Sequence, residues 1–335
     1  MLRKSNKKGR LFLLTVMLVI FVVAVLSYAV CCYTIKAEIH VRNMGLMNIA
    51  AEKVAKTIKG MEMNAVNVFD EVSKHLDTPE SVIAAMESKA SLNPDVRGYF
   101  AAFEPYYFPQ KGRWFEPYVH QTDSAVYEMS QVGSARHDYT KSGWYIRAKE
   151  LNTSFWSDPY YYYDGTSISG HYCTFVKPMY NAQGTLVCVC GADITFEWLT
   201  KELQRIDRDS KMSDLHGKYG LFVSEDFYTV ILDVDGSSIA YPEGKRVLTT
   251  DARVLQDLRE HRIGMFDTTV NGVAATVYYG PILPLGWTAA VVVPCSDIAR
   301  PLWMVGGGML VLMLAGMLVI WMVYRKMTDE QEDVG

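Results

Sequence analysis

The chain has 335 residues, half of them hydrophobic and 21% charged, with 33 basic and 37 acidic side chains giving a net charge of −4. That composition excludes a disordered chain, and the near balance of charge supplies no basic surface for nucleic acid. Six cysteines are too sparse for a disulfide scaffold, and no CxxC or Cys/His cluster has zinc-site spacing.

Residues 1–10 carry Arg3, Lys4, Lys7, Lys8 and Arg10, and an uncharged run of 22 residues, Leu11 to Cys32, follows. About 20 apolar residues span a bilayer as a helix, and this run is longer than a signal-peptide core and lacks a small-residue cleavage site. We assign a first transmembrane helix to residues 11–33. A second uncharged run of 23 residues, Leu302 to Tyr324, is followed by Arg325 and Lys326, and marks a second span over 301–324. Positive flanks stay cytoplasmic, so both termini are expected in the cytoplasm of a plasma (inner) membrane protein, with residues 33–301 outside. Gly306, Gly307, Gly308 and Gly316 would permit close helix approach in a dimer. The short cytoplasmic ends, 1–10 and 325–335, leave no room for a folded output domain.

From Thr34 to Leu76 there is no proline, and good helix formers dominate. Apolar residues fall at Met44, Met47, Ala51, Val54, Ile58, Met61, Ala65, Val68 and Val72, a seam with alternating steps of three and four. The seam fits packing on a domain, a dimer contact, or both at different faces. Asp77-Thr78-Pro79 ends this helix, and the next starts with Thr78 or Asp77 as its cap and the proline in its first turn.

After Asn93-Pro94 the pattern turns to strands: Val96–Phe103, Phe115–Gln121, then a helix over Trp144–Leu151. His171–Tyr180 and Thr185–Ile194 form a hairpin around Asn181-Ala182-Gln183-Gly184, and Phe196–Ile206 is a helix. A smaller block repeats the theme. It has strands at Leu221–Val223, Val230–Asp233 and Ser238–Ala240, an Asp235-Gly236 turn and a helix over Asp251–Glu260. Strands at Gly264–Thr269, Val273–Tyr279 and Trp287–Pro294 complete it, with Asn271-Gly272 as a tight turn. The absence of regular βαβ alternation predicts antiparallel α+β modules.

An ordered set of residues carries a family resemblance. They are Asp138-Tyr139-Thr140-Lys141-Ser142-Gly143-Trp144-Tyr145, Trp156-Ser157-Asp158-Pro159-Tyr160, Gly191-Ala192-Asp193-Ile194, Asp235-Gly236, and Gly280-Pro281-Ile282 with Gly286-Trp287. Over roughly residues 34–300 the chain resembles the double Cache ectodomains of bacterial transmembrane receptors. The resemblance implies an α+β fold in which a long N-terminal helix carries two antiparallel-sheet (PAS-like) Cache modules between two transmembrane helices. The long helix and connector would occupy 34–92, the membrane-distal module 93–206 and the membrane-proximal module 207–300. It also implies that the distal module holds a small ligand. Trp144, Tyr145, Tyr160 and Asp193 stand at positions matching the pocket of amino-acid-binding members, and Tyr118 matches a further wall tyrosine. Ser142 stands where those members carry a carboxylate-gripping arginine, and Tyr162 where they carry a second aspartate. Serine cannot supply a two-pronged cationic donor. What remains, an aromatic box with one carboxylate, suits an amine or a small polar compound. Asp164, Arg136, Lys141 or Arg147 could restore a charge contact.

By alternation Asp193 follows Val187, Val189 and Gly191 on one strand face, and a carboxylate on so apolar a run needs partners. Cys173, Cys188 and Cys190 fit a disulfide or buried thiols equally, and Cys31 and Cys32 could cross-link a dimer at the end of the first span. The seven histidines form no HExxH, and no nucleophile elbow or P-loop occurs. The expectation is therefore a sensor without enzymatic activity, cofactor or metal. It would act as a homodimer in the membrane and signal through its helices to a separate protein such as a histidine kinase or phosphatase. The alternative is an envelope ligand- or protein-binding module that signals nothing.

Overall fold

The computed structural model describes residues 2–122, 126–163, 169–215, 226–283 and 285–333. Helix α1 runs unbroken from Leu2 to Lys74. At 1.5 Å per residue it is roughly 110 Å long. Its N-terminal part and helix α6 (Cys295–Asp333) are each long and apolar enough to cross a bilayer. The two lie side by side there: the Tyr28 ring packs on Gly306, and its hydroxyl donates to the Leu302 carbonyl at 3.5 Å. Gly306 thus admits a ring of the same chain, whereas among the described residues no side chain lies over Gly307, Gly308 or Gly316.

Helix α2 (Pro79–Ala90) begins at Pro79 with Thr78 as its cap. Thr78 Oγ1 accepts from the Ser81 amide at 3.1 Å, and Ser81 Oγ accepts from the Thr78 amide at 3.2 Å. This reciprocal cap satisfies two amides that the first turn would otherwise leave unpaired. Thr78→Ala is expected to cost about 1 kcal/mol, seen as a fall of roughly 2–4 °C in melting temperature.

Two antiparallel sheets follow. The first comprises β1 (Gly98–Phe103), β2 (Pro117–Gln121), β3 (Tyr127–Gln131), β4 (Phe155–Trp156), β5 (Tyr160–Tyr163), β6 (Ser169–Tyr180) and β7 (Leu186–Thr195), with α3 (Gly143–Leu151) between β3 and β4. Its order is β3-β2-β1-β7-β6-β4, with β5 also paired to β6. Helix α4 (Phe196–Leu215) leads to the second sheet. That sheet contains β8 (Tyr228–Leu232), β9 (Ser238–Ala240), β10 (Gly264–Val270), β11 (Val273–Ile282) and β12 (Trp287–Pro294), ordered β10-β11-β12-β8-β9, with α5 (Ala252–Arg259) after β9. Helix α4 runs nine residues past its expected end at Ile206, to Leu215. Strand β3 and the short β4 and β5 were not expected. The expected strand at Leu221–Val223 lies outside the described residues.

Both sheets lean on α1. Met47, Ala51, Val54, Ile58, Met61, Ala65, Val68 and Val72 are all buried in one continuous core, and Met44 packs at its edge. The heptad seam is therefore filled by the chain's own sheets and α2. Phe69 stacks on Phe175 of the first sheet, while Met47 sits on Gly280 of the second. Twenty-two residues separate these contacts along α1, roughly 33 Å, so the first sheet lies farther from the apolar segment.

The alternating strand faces divide the first sheet's work. Cys173, Phe175, Cys188, Cys190, Ala192 and Ile194 face the α1 core, while Phe100, Tyr118, Val176 and Val189 belong to a separate cluster with Tyr139, Tyr145 and Ala148. All six cysteines are free thiols. Cys173, Cys188 and Cys190 are buried, with Cys188 Sγ and Cys190 Sγ 3.7 Å apart.

Candidate functional site

The sheet face turned away from α1 bears a cavity lined by Phe100, Tyr118, Tyr160 and Tyr172 from the strands, with Asp193 and Glu116. Val132, His137, Trp144 and Tyr162 complete it. The cavity encloses about 40 Å³, room for roughly three waters. Two glycines make the floor possible. A side chain on Gly191 would collide with the Phe100 ring, and one on Gly98 with the Tyr118 ring.

Asp193 is only 7% exposed. Its Oδ1 accepts from Thr174 Oγ1 at 2.6 Å and, more weakly, from the Tyr160 hydroxyl at 3.5 Å. Tyr118 also hydrogen-bonds this carboxylate. Burial pushes its pKa from 3.8 up to about 6, against the pull of those three hydroxyls. The strand register explains the convergence. Asp193 pairs directly with Thr174 on β6, and Gly98 of β1 pairs with both Asp193 and His120. Tyr118 stacks on His120, with ring centroids 5.0 Å apart.

Glu116 is the second carboxylate. It precedes β2 by one residue, shares the face of Tyr118 by alternation, and is 3% exposed. Its Oε2 has no hydrogen-bond partner, and His137 Nε2 stands 3.5 Å away. Burial drives the Glu116 carboxyl well above its usual range, with the Asp193 charge adding to the effect. Burial also lowers the His137 pKa, which keeps that ring neutral near pH 7.

Of the five residues expected at the site, Tyr118, Trp144, Tyr160 and Asp193 come together around the cavity. Tyr145 does not line it. Its hydroxyl donates to Glu104 Oε1 at 2.8 Å and its ring packs on Tyr139. A neighbour of Trp144 on a helix points to a different face, so the pair cannot both reach one cavity wall. Tyr162 lines the cavity and meets His137 edge-on at 5.4 Å.

The candidate charge donors lie elsewhere. Lys141 pairs with Asp138, and Arg147 pairs with Asp158 and covers the Phe155 ring. Arg136 is exposed, and Asp164 lies outside the described residues. Among the described residues, no arginine or lysine lines the cavity. Arg97 hydrogen-bonds Tyr172 from outside that lining. Glu116, His137, Phe100, Tyr172 and Val132 were missed at the sequence level. For Glu116 a signal existed: it sits two residues before Tyr118 on an alternating strand.

The site is wired to α1. Thr174, which donates to Asp193, exchanges backbone and side-chain hydrogen bonds with Ser157. The adjacent Trp156 donates from Nε1 to Glu62 Oε1 of α1 at 2.8 Å, and its ring lies 6.2 Å from that of Trp287 in the second sheet.

The comparisons with known proteins agree with this architecture. Residues 82–201 match the family described as methyl-accepting chemotaxis protein-like, first PDC sensor domain. No curated protein matches. Among solved structures, the extracellular domain of mmHK1S-Z3, a protein assigned as a histidine kinase, aligns with a TM-score of 0.58 at 15% identity, covering 76% of this chain and 94% of that one. The ligand-binding domain of the Campylobacter jejuni chemoreceptor Tlp3 in complex with L-norvaline aligns with a TM-score of 0.52 at 14% identity, covering 80% and 95%. The ligand-binding domain of Mlp24 with asparagine gives 0.51 at 15% identity, covering 81% and 98%. The resemblance to double Cache sensor domains is borne out: residues 82–201 match a PDC sensor-domain family, and the region between the two apolar helices shares the fold of these extracellular domains.

Proposed function

We propose that this chain is a membrane-anchored extracytoplasmic sensor of a small amine, bound in the cavity around Asp193, Tyr118, Trp144 and Tyr160. The observation that carries this reading is a buried carboxylate in an aromatic cavity whose described lining includes no arginine or lysine. Such a site is complementary to a cation held by charge-assisted hydrogen bonds and ring faces. Relatives of similar fold were solved with L-norvaline and asparagine. Ser142, in place of a cation that would grip an α-carboxylate, turns this site toward the amine alone. Each sheet is one Cache module, the first distal and the second proximal to the membrane, and both termini are cytoplasmic. A bound ammonium would draw on Asp193 and shift Thr174, Ser157 and Trp156 together. Trp156 would then re-seat Glu62 and bias α1 between two arrangements that its continuous helix carries into the bilayer. Output of the histidine kinase or phosphatase kind would read that shift, in a homodimer.

The test is a thermal-shift and calorimetric screen of the full chain in phosphatidylcholine nanodiscs against amines, amino acids, organic acids and nucleobases. Amine hits alone support the reading, and hits confined to acids or nucleobases sink it. A pH series sharpens the test. With a folded pKa of about 6 against 3.8 unfolded, Asp193 favours the protonated native state. Its contribution to ligand-free stability is present below pH 3.8 and is lost as pH rises through 6. An ammonium needs the ionised form, so affinity is expected to run the other way and rise about tenfold between pH 5 and pH 7. Glu116 and His137, the other titrating groups facing the ligand, act in the same direction. Affinity that is flat across this range would remove Asp193 from the site.

A further inference from the structure

The cavity contains one more carboxylate than a monoamine needs. Glu116 is nine-tenths buried, lines the same cavity as Asp193, and holds Oε2 without a hydrogen-bond partner. A buried carboxylate left so poorly satisfied destabilises the ligand-free fold, and it persists where something else completes it. His137 does not complete it: its Nε2 is 3.5 Å from Oε2, outside good hydrogen-bond geometry, and burial disfavours the imidazolium.

The two carboxylates enter the cavity from different strands. Asp193 lies on β7 and Glu116 just before β2, with β1 between those strands. Val132 donates to the Glu116 carbonyl, which keeps Glu116 in register with the sheet. Ala102 pairs with Val189, and Gly98 with both Asp193 and His120, so Glu116 is displaced by four residues along the strands from Asp193. Two strand spacings and four strand residues place their backbones roughly 16 Å apart. The side chains converge from there on one cavity between Phe100, Tyr118 and Trp144.

Resting on the amine reading, we infer that the cognate ligand is a slender unbranched diamine, one ammonium on Asp193 and the other on Glu116, with its alkyl chain against the aromatic rings. Two ammonium groups satisfy both carboxylates at once, and the ligand-free cavity of about 40 Å³ must widen least for an unbranched chain. The preference for a second cation then resides in Glu116 and the primary affinity in Asp193.

The probes are butylamine and 1,4-diaminobutane, titrated by calorimetry into the full chain in phosphatidylcholine nanodiscs. The diamine is expected to bind roughly 10–150-fold more tightly, the range that a charged hydrogen-bond partner is worth. Glu116→Gln should bring the two ligands to within a few-fold of each other. With no ligand present, the same variant should escape the penalty that ionising a buried Glu116 brings as pH rises, and so melt higher than the parent at alkaline pH; a group with a merely structural role would lower the melting temperature when replaced. Equal binding of the two ligands to the parent chain overturns the diamine inference and leaves the amine reading standing. So does a Glu116→Gln variant that weakens both equally. Failure of both ligands to bind the parent overturns the amine reading and this inference with it.

Discussion

Asp193→Ala is expected to abolish the amine-dependent rise in melting temperature. Asp193 lies at the centre of a donor cluster formed by Thr174, Tyr118 and Tyr160, and in the proposed binding mode it meets the first ammonium. Removing one partner of a buried charged pair costs about 2–5 kcal/mol of binding, at least thirtyfold in dissociation constant. Alanine also strips three hydroxyls of their acceptor, and orphaning a buried donor costs about 1–3 kcal/mol, so the ligand-free variant should melt lower. Asp193→Asn separates the two effects. The amide oxygen keeps an acceptor for Thr174 but carries no charge, so ligand-free stability should largely recover while binding does not. Undiminished amine affinity in Asp193→Asn would move the site away from this residue.

Phe69→Ala is expected to be the most destabilising change in the stalk. Phe69 is 1% exposed and stacks on Phe175, with ring centroids 6.3 Å apart, joining α1 to the first sheet. Truncating a buried phenylalanine costs about 3–5 kcal/mol through lost burial and the cavity left behind. In a unit of this size that is on the order of a 10 °C fall in melting temperature. Met63, 63% exposed on the same helix, is the control: Met63→Ala should change stability by less than about 0.5 kcal/mol. Val68→Ala, at the neighbouring buried seam position, separates the two roles offered for the heptad seam. If Val68→Ala altered the oligomeric state and left the unfolding midpoint in place, the seam would be an interface between chains. A large loss of stability at unchanged oligomeric state assigns it to the core.

Several parts of this molecule were legible from local pattern. The two uncharged runs and the seam from Met47 to Val72 follow from helical periodicity, and Thr78 was one of two expected caps. The Asn271-Gly272 turn follows from its backbone demand, since both residues adopt positive φ. The run Val189, Gly191, Asp193 placed a carboxylate on one face of a strand by simple alternation. Glu116 was passed over because, between Phe115 and Pro117, it reads as an ordinary surface acid. Alternation with Tyr118 gives its strand face, but nothing within five residues of it reveals that β7 will pair with β1 and bring Asp193 to the same cavity. Tyr145 stands with Trp144 at positions matching the family's pocket, and only the turn of α3 toward Glu104 separates them.

The sequence by itself therefore determined which residues share a helix stripe or a strand face, because those periods are properties of the local backbone. Tertiary structure decided which faces meet. The order β3-β2-β1-β7-β6 brings Tyr118 and Asp193, 75 positions apart in the chain, to one cavity. Pairings of that range depend on the total burial they achieve against α1, a sum over the whole core that no local window contains. That same assembly turns two unremarkable acids into one buried acidic cavity.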